Sequence, residues 1–173
     1  MTASRSTGAR SASRAALTPA GQSRAARTIF WAGLACGVMD ITAAFITWAP
    51  KGITPIRILQ SVAAGWLGRA SLQGGYATAA LGLATHFFIA YSWATAYYVV
   101  SRKIAFLTRR PWIAGPMYGV LVYGVMYWVV RPLSNVGPST FSWFNTIIAI
   151  ITHIVCVGTP IAVVTARVAR GED

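Results

Sequence analysis

The sequence predicts an all-α integral membrane protein: four transmembrane helices, with one short amphipathic or re-entrant helix between the first and second spans. Three observations predict it. The 173-residue chain is 55% hydrophobic and only 10% charged, with a mean hydropathy of +0.56, whereas a soluble domain carries about 25% charge. Four runs, 28–49, 76–100, 112–130 and 142–166, have the length and apolar character of helices that cross a bilayer, for which roughly 20 residues suffice. The net charge of +12 lies almost wholly at the ends of these runs, which places it at membrane interfaces and argues against a nucleic-acid partner.

Taken in order, residues 1–27 are rich in Ser, Ala and Arg, with no acid and no apolar periodicity. They read as a disordered basic tail that leans on anionic lipid, or alternatively as an organelle transit peptide. A cleaved secretory signal does not fit, because the run 28–49 is too long and contains Asp40. The membrane domain occupies 28–168 and a short tail follows at 169–173. Cys36 and Cys156 fall inside spans, where cysteine usually behaves as a small hydrophobe.

Between the first two spans, Thr54 is a suitable N-cap and Pro55 suits the first helical position of an interfacial helix over about 55–71. On a helical wheel Arg57, Gln60, Ser61, Ala64, Gly68 and Ser71 share one face, and Ile58, Leu59, Val62, Ala63, Trp66 and Ala70 the other. Arg57 and Arg69 leave too few residues between them to span, so the helix is expected to lie on the outer surface and cover that end of the bundle. In the sharper alternative it dips inward and brings Arg57 or Arg69 towards Asp40.

Orientation follows from the basic residues. Arg5, Arg10, Arg14, Arg24, Arg27, Arg102, Lys103, Arg109, Arg110, Arg167 and Arg170 fall on one side, and Lys51, Arg57, Arg69 and Arg131 on the other. The positive-inside rule then puts both termini in the cytoplasm. Aromatic residues mark two belts, Trp31, Tyr97, Tyr98 and Trp112 at the inner ends and Trp48, Tyr76, Tyr127, Trp128 and Trp143 at the outer ends.

The chemistry-bearing residues inside the spans are few. Asp40 is the only acid apart from Glu172 and Asp173 at the C-terminus, and His86 and His153 are the only histidines. At 1.5 Å per residue all three lie ~14–17 Å from the outer ends of their helices, near the midplane. Ionisable groups at that depth are costly and mark functional sites by default. Gly33 and Gly37, Gly82, and Gly115 and Gly119 are small residues that let helices approach near these positions, and Pro160 is expected to kink the fourth span.

The strings at 37–40 (GVMD), 55–61 (PIRILQS), 73–75 (QGG), 81–87 (LGLATHF), 111–123 and 153–162 resemble a group of small bacterial four-span proteins of unknown function. They are more loosely similar to the YagU-like (DUF1440) inner-membrane family. The resemblance covers about 31–167 and implies a bacterial inner-membrane home, without an activity.

Catalytic signatures are missing from the sequence: it has no nucleophile elbow, no HExxH, no phosphate loop and no paired carboxylates. The expectation is an accessory or structural inner-membrane component, not an enzyme, needing no cofactor or metal. The lipid bilayer and a homo-oligomer or larger membrane complex would be its partners. In that case Asp40, His86 and His153 serve as polar glue between helices. The alternative is a small proton- or ion-coupled permeation unit using an Asp40, His86 and His153 cluster. A lesser alternative is a haem protein with His86 and His153 as axial ligands.

Overall fold

The computed structural model describes residues 19–136 and 142–172. Among these the chain is helical throughout its regular elements. Helix α1 covers Pro19–Trp48, α2 Pro55–Leu67, α3 Gly75–Ser101, α4 Phe106–Arg109 and α5 Pro111–Val125. A π-helical turn, Met126–Val130, extends α5. The last rod is α6, Trp143–Thr152, then a second π segment, His153–Gly158, then α7, Thr159–Arg170.

Three rods are long and apolar enough to cross a membrane: Arg24–Lys51, Pro111–Val130 and Trp143–Arg170. Helix α3 has comparable length at 27 residues, but its Thr, Ser, Tyr and His residues dilute its apolar character below that of the other three. The rods' outer surfaces are apolar, with Ile46, Phe88, Met117, Ile147 and Val155 exposed. So much exposed apolar surface is what a bilayer-facing bundle requires.

Helix α1 begins earlier than the expected boundary at residue 28. Pro19 opens it, and the Ala-rich stretch that follows propagates a helix already nucleated by the apolar run. Thr28 Oγ1 donates to the Arg24 carbonyl at 2.8 Å within this extension. Residues 1–18 of the expected tail, and Asp173, lie outside the described residues.

Up-down connectivity puts the N-terminus of α1 and the C-terminus of α7 at one end, here the terminal end; α2 and the 131–136 loop cap the far end. Helix α1 packs on α3 on one side and on the last rod on the other, and the last rod packs on α5. Small side chains at these crossings, Ala32, Cys36, Ala90, Ala94 and Ala162, form the core with Tyr97, Val122, Val157 and Ile161. Between α3 and α5 there is no comparable backbone approach.

Glycines set the close contacts. A Cβ on Gly33 or Gly37 would collide with the ring of Tyr91 or Phe87, so these two positions receive aromatic side chains of α3. Gly82 was expected to admit a neighbouring span, but its neighbour is α2: a Cβ there would sit on the Leu59 carbonyl. Gly115 and Gly119 of α5 meet the backbone around His153–Gly158 with the same closeness.

That segment is also where Pro160 acts. Proline has no N–H for the carbonyl of Cys156. The preceding turn shifts to π pairing, with Thr159 N–H donating to the Ile154 carbonyl. The proline's disturbance includes a local re-registration to π pairing, the kind of site at which helices bend.

Helix α2 has the expected cap, Thr54 Oγ1 accepting from Arg57 N–H at 3.3 Å. Its buried face differs from the simple apolar stripe: Ile58, Ala63 and Ala64 are covered, and so is Gln60 at 5% exposure. Gln60 Nε2 donates to the Gly75 carbonyl at 3.0 Å, which makes burial of the amide tolerable. Trp66 from the apolar side is exposed over most of its surface, yet its indole N–H donates to Thr85 Oγ1 at 3.1 Å.

Candidate functional site

Because α3 and α5 diverge towards the far end, they leave a cavity of about 710 Å³ between the rods. Asp40 of α1, His86 of α3 and His153 of the last rod all line it. Cys36, Ala90, Val122 and Val157 form its deep end, while Trp48, Arg131, Val136, Ser142 and Asn145 reach the far surface. Helix α2 adds Ser61 and Val62 to the wall.

The deep end is closed by an aromatic brace. Tyr118 Oη donates to the Trp93 carbonyl at 2.8 Å, tying α5 to α3. The Tyr97 and Tyr118 rings meet edge to face at 4.8 Å, and Tyr97 Oη donates to the Leu107 carbonyl at 2.9 Å. Tyr97 is 1% exposed, so it belongs to this brace and not to the inner aromatic belt where the sequence placed it.

Each imidazole has one nitrogen committed to a backbone carbonyl. His86 Nε2 lies 2.9 Å from the Gly37 carbonyl across the α1–α3 interface, and His153 Nδ1 lies 2.8 Å from the Ala149 carbonyl of its own rod. A carbonyl only accepts, so these nitrogens carry the protons. In the neutral ring the remaining nitrogens, Nδ1 of His86 and Nε2 of His153, are proton acceptors. They are also the nitrogens left for a haem iron in the bis-histidine reading.

Asp40 is different. It is partly buried in the wall and makes no hydrogen bond or ion pair among the described residues. Its carboxylate is within electrostatic reach of the free thiols of Cys36 and Cys156. No group of three or more His, Cys, Asp or Glu is arranged to hold a metal ion among the described residues.

Arg57 and Arg69, the suggested outer-face partners of Asp40, do not line the cavity. Arg57 Nη1 instead donates to the Leu72 carbonyl at 2.8 Å, closing the turn after α2, and Arg69 is exposed on that turn. The first-turn position of Arg57 and its carbonyl partner hold it on the exposed side of α2.

The cation that does line the cavity is Arg131, which the sequence reading counted only as a loop charge. It ends a column on one wall. The His153 ring meets Tyr123 edge to face at 5.6 Å, Tyr123 stacks on Tyr127 at 5.7 Å, and the Arg131 guanidinium lies 5.8 Å from the Tyr127 ring centre. The spacing Tyr123, Tyr127, Arg131 was visible as a four-residue repeat along one helix face. At the rim Lys51 Nζ lies 4.2 Å from the Trp48 ring centre and donates to Asn145 Oδ1 at 3.3 Å.

The cavity therefore carries one unpaired carboxylate, two imidazoles with open acceptor nitrogens and an aromatic wall leading to the far surface. Such a set can take up and release protons and can hold a positively charged solute. No protein-family model, no curated protein and no solved structure matches this chain.

Proposed function

We propose that this is a non-catalytic, four-span inner-membrane protein, with α3 as the fourth span, both termini in the cytoplasm and α2 lying on the outer face. Its working part is the cavity, which handles protons or small cations through Asp40, His86 and His153. The observation that carries this reading is that Asp40 makes no hydrogen bond or ion pair among the described residues while it shares one cavity with both histidines. Glue between helices would commit the carboxylate to a donor on a neighbouring rod, because an unpaired carboxylate at that depth is expensive. Passage beyond the cavity floor requires the Tyr118–Trp93 brace to part. The bilayer is the obligatory partner, and a homo-oligomer or larger complex fits the small size of the chain.

A scaffold reading retains one specific observation, the His86 bond to the Gly37 carbonyl, which joins two rods. Proteoliposomes under a pH gradient separate the two readings. Wild-type protein should dissipate the gradient faster than empty vesicles, and Asp40→Asn should remove that excess while the protein still elutes as folded material. Equal decay in wild type, Asp40→Asn and empty vesicles would leave the scaffold reading standing alone.

A further inference from the structure

We infer that the cavity takes a small organic cation, with its charged group on the Asp40 carboxylate and its apolar body against the ring of Trp93. The inference deepens the reading just given and rests on it, since it requires the cavity to admit solutes from the far end. Four features of the site lead to this ligand class.

The first is charge. Asp40 lines the cavity without an ion pair among the described residues, whereas Arg131 in the same lining and Lys51 at the rim have partners of their own. The second is the poverty of oxygen and nitrogen ligands around that carboxylate. A bare metal ion must exchange its hydration shell for several hard donors, and no group of three or more His, Cys, Asp or Glu is arranged to supply them among the described residues. An organic ammonium or phosphonium ion has a diffuse charge and sheds far less hydration, so one carboxylate suffices to anchor it.

The third is the wall. Lys51 over Trp48 and Arg131 over Tyr127 show that two of the cavity's rings already accept cations. Trp93 lines the same space, half-buried and with no protein cation on it, whereas the Tyr123 ring is already packed between Tyr127 and His153; Trp is the strongest aromatic partner for a cation. The fourth is size. About 710 Å³ is far more than a proton or a dehydrated metal ion needs, and lies in the range of pockets that enclose small organic ligands.

Binding of tetraphenylphosphonium to the full-length protein in detergent, followed by calorimetry near pH 8, tests the proposal. Wild type should show saturable binding, with Asp40→Glu within a few-fold of it and Asp40→Asn weaker by about tenfold or more, a change of 1.4 kcal/mol per decade. Neutral triphenylphosphine oxide should not compete. Equal binding by Asp40→Asn, or equal competition by the neutral compound, would mean apolar partitioning and overturn the proposal.

A second measurement separates this from the reading beneath it. Thr146 lines the cavity, so Thr146→Cys should react with a polar maleimide above the background of the native thiols, and tetraphenylphosphonium should protect it. Labelling without cation binding sinks the ligand class and leaves the accessible cavity. Absence of labelling sinks both.

Discussion

In the terminal half of the bundle Tyr97, Trp93 and Tyr118 fill the space between α3 and α5, and both phenol hydroxyls donate to backbone carbonyls. In the far half the same two rods stand apart, and Asp40 faces the gap without a donor. The same rods run through both halves. What differs is how buried polar groups are treated. Where the phenol hydroxyls of the brace reach backbone carbonyls, the two rods are tied to one another; where Asp40 has no partner among the described residues, a cavity persists that a group from outside can complete.

The contrast can be attacked first at the contact that holds the far end in shape. Gly82→Leu should displace α2 from α3, because the new side chain has nowhere to go but the Leu59 carbonyl. We expect a loss of ~3 kcal/mol or more, read as a lowered unfolding midpoint in detergent, together with loss of the Trp66–Thr85 bond. A variant as stable as wild type would show that α2 is not seated on Gly82.

Tyr118→Phe acts on the other half. Removing one hydroxyl that bridges α5 to α3 should cost about 1 kcal/mol and loosen the cavity floor. In the proteoliposome assay it should raise, not lower, the rate of gradient decay. A lowered rate would mean that the brace supports the path instead of closing it.

Arg57→Ala should do least. Its exposed bond to the Leu72 carbonyl contributes about 0.5 kcal/mol, and neither gradient decay nor cation binding should change. A large effect on either would return Arg57 to the neighbourhood of Asp40.

The all-helical architecture was readable because it rests on long-range composition: three of the four apolar runs form helices long and apolar enough to cross a membrane, and Thr54 caps the short helix that follows the first. The boundary at residue 28 was not, since helix propagation into 19–27 depends on an adjoining rod. Asp40, His86 and His153 were found by scarcity alone, and depth counting put them at one level. Their shared cavity depended on which rods are neighbours, and periodicity carries no information about that. Tyr97 was misplaced for a related reason. A belt rule assigns aromatics by depth, but whether a ring faces lipid or a neighbouring rod is decided by packing. Gln60 shows the same limit: its polarity pointed outward, while the Gly75 carbonyl made inward placement affordable.

The glycine contacts imply how such a bundle would breathe. Helix α2 is pressed onto α3 at Gly82, and α5 onto the last rod at Gly115, Gly119 and Gly158. Each pair is therefore a welded slab that cannot shear internally without crushing backbone against backbone. The seam between the slabs, at α3 and α5, is stitched by ring edges and a single phenol donor. Any excursion from the resting shape concentrates along that seam and swings on the alanine-lined crossing of α1 with the last rod, like a shell with one hinge and one lip.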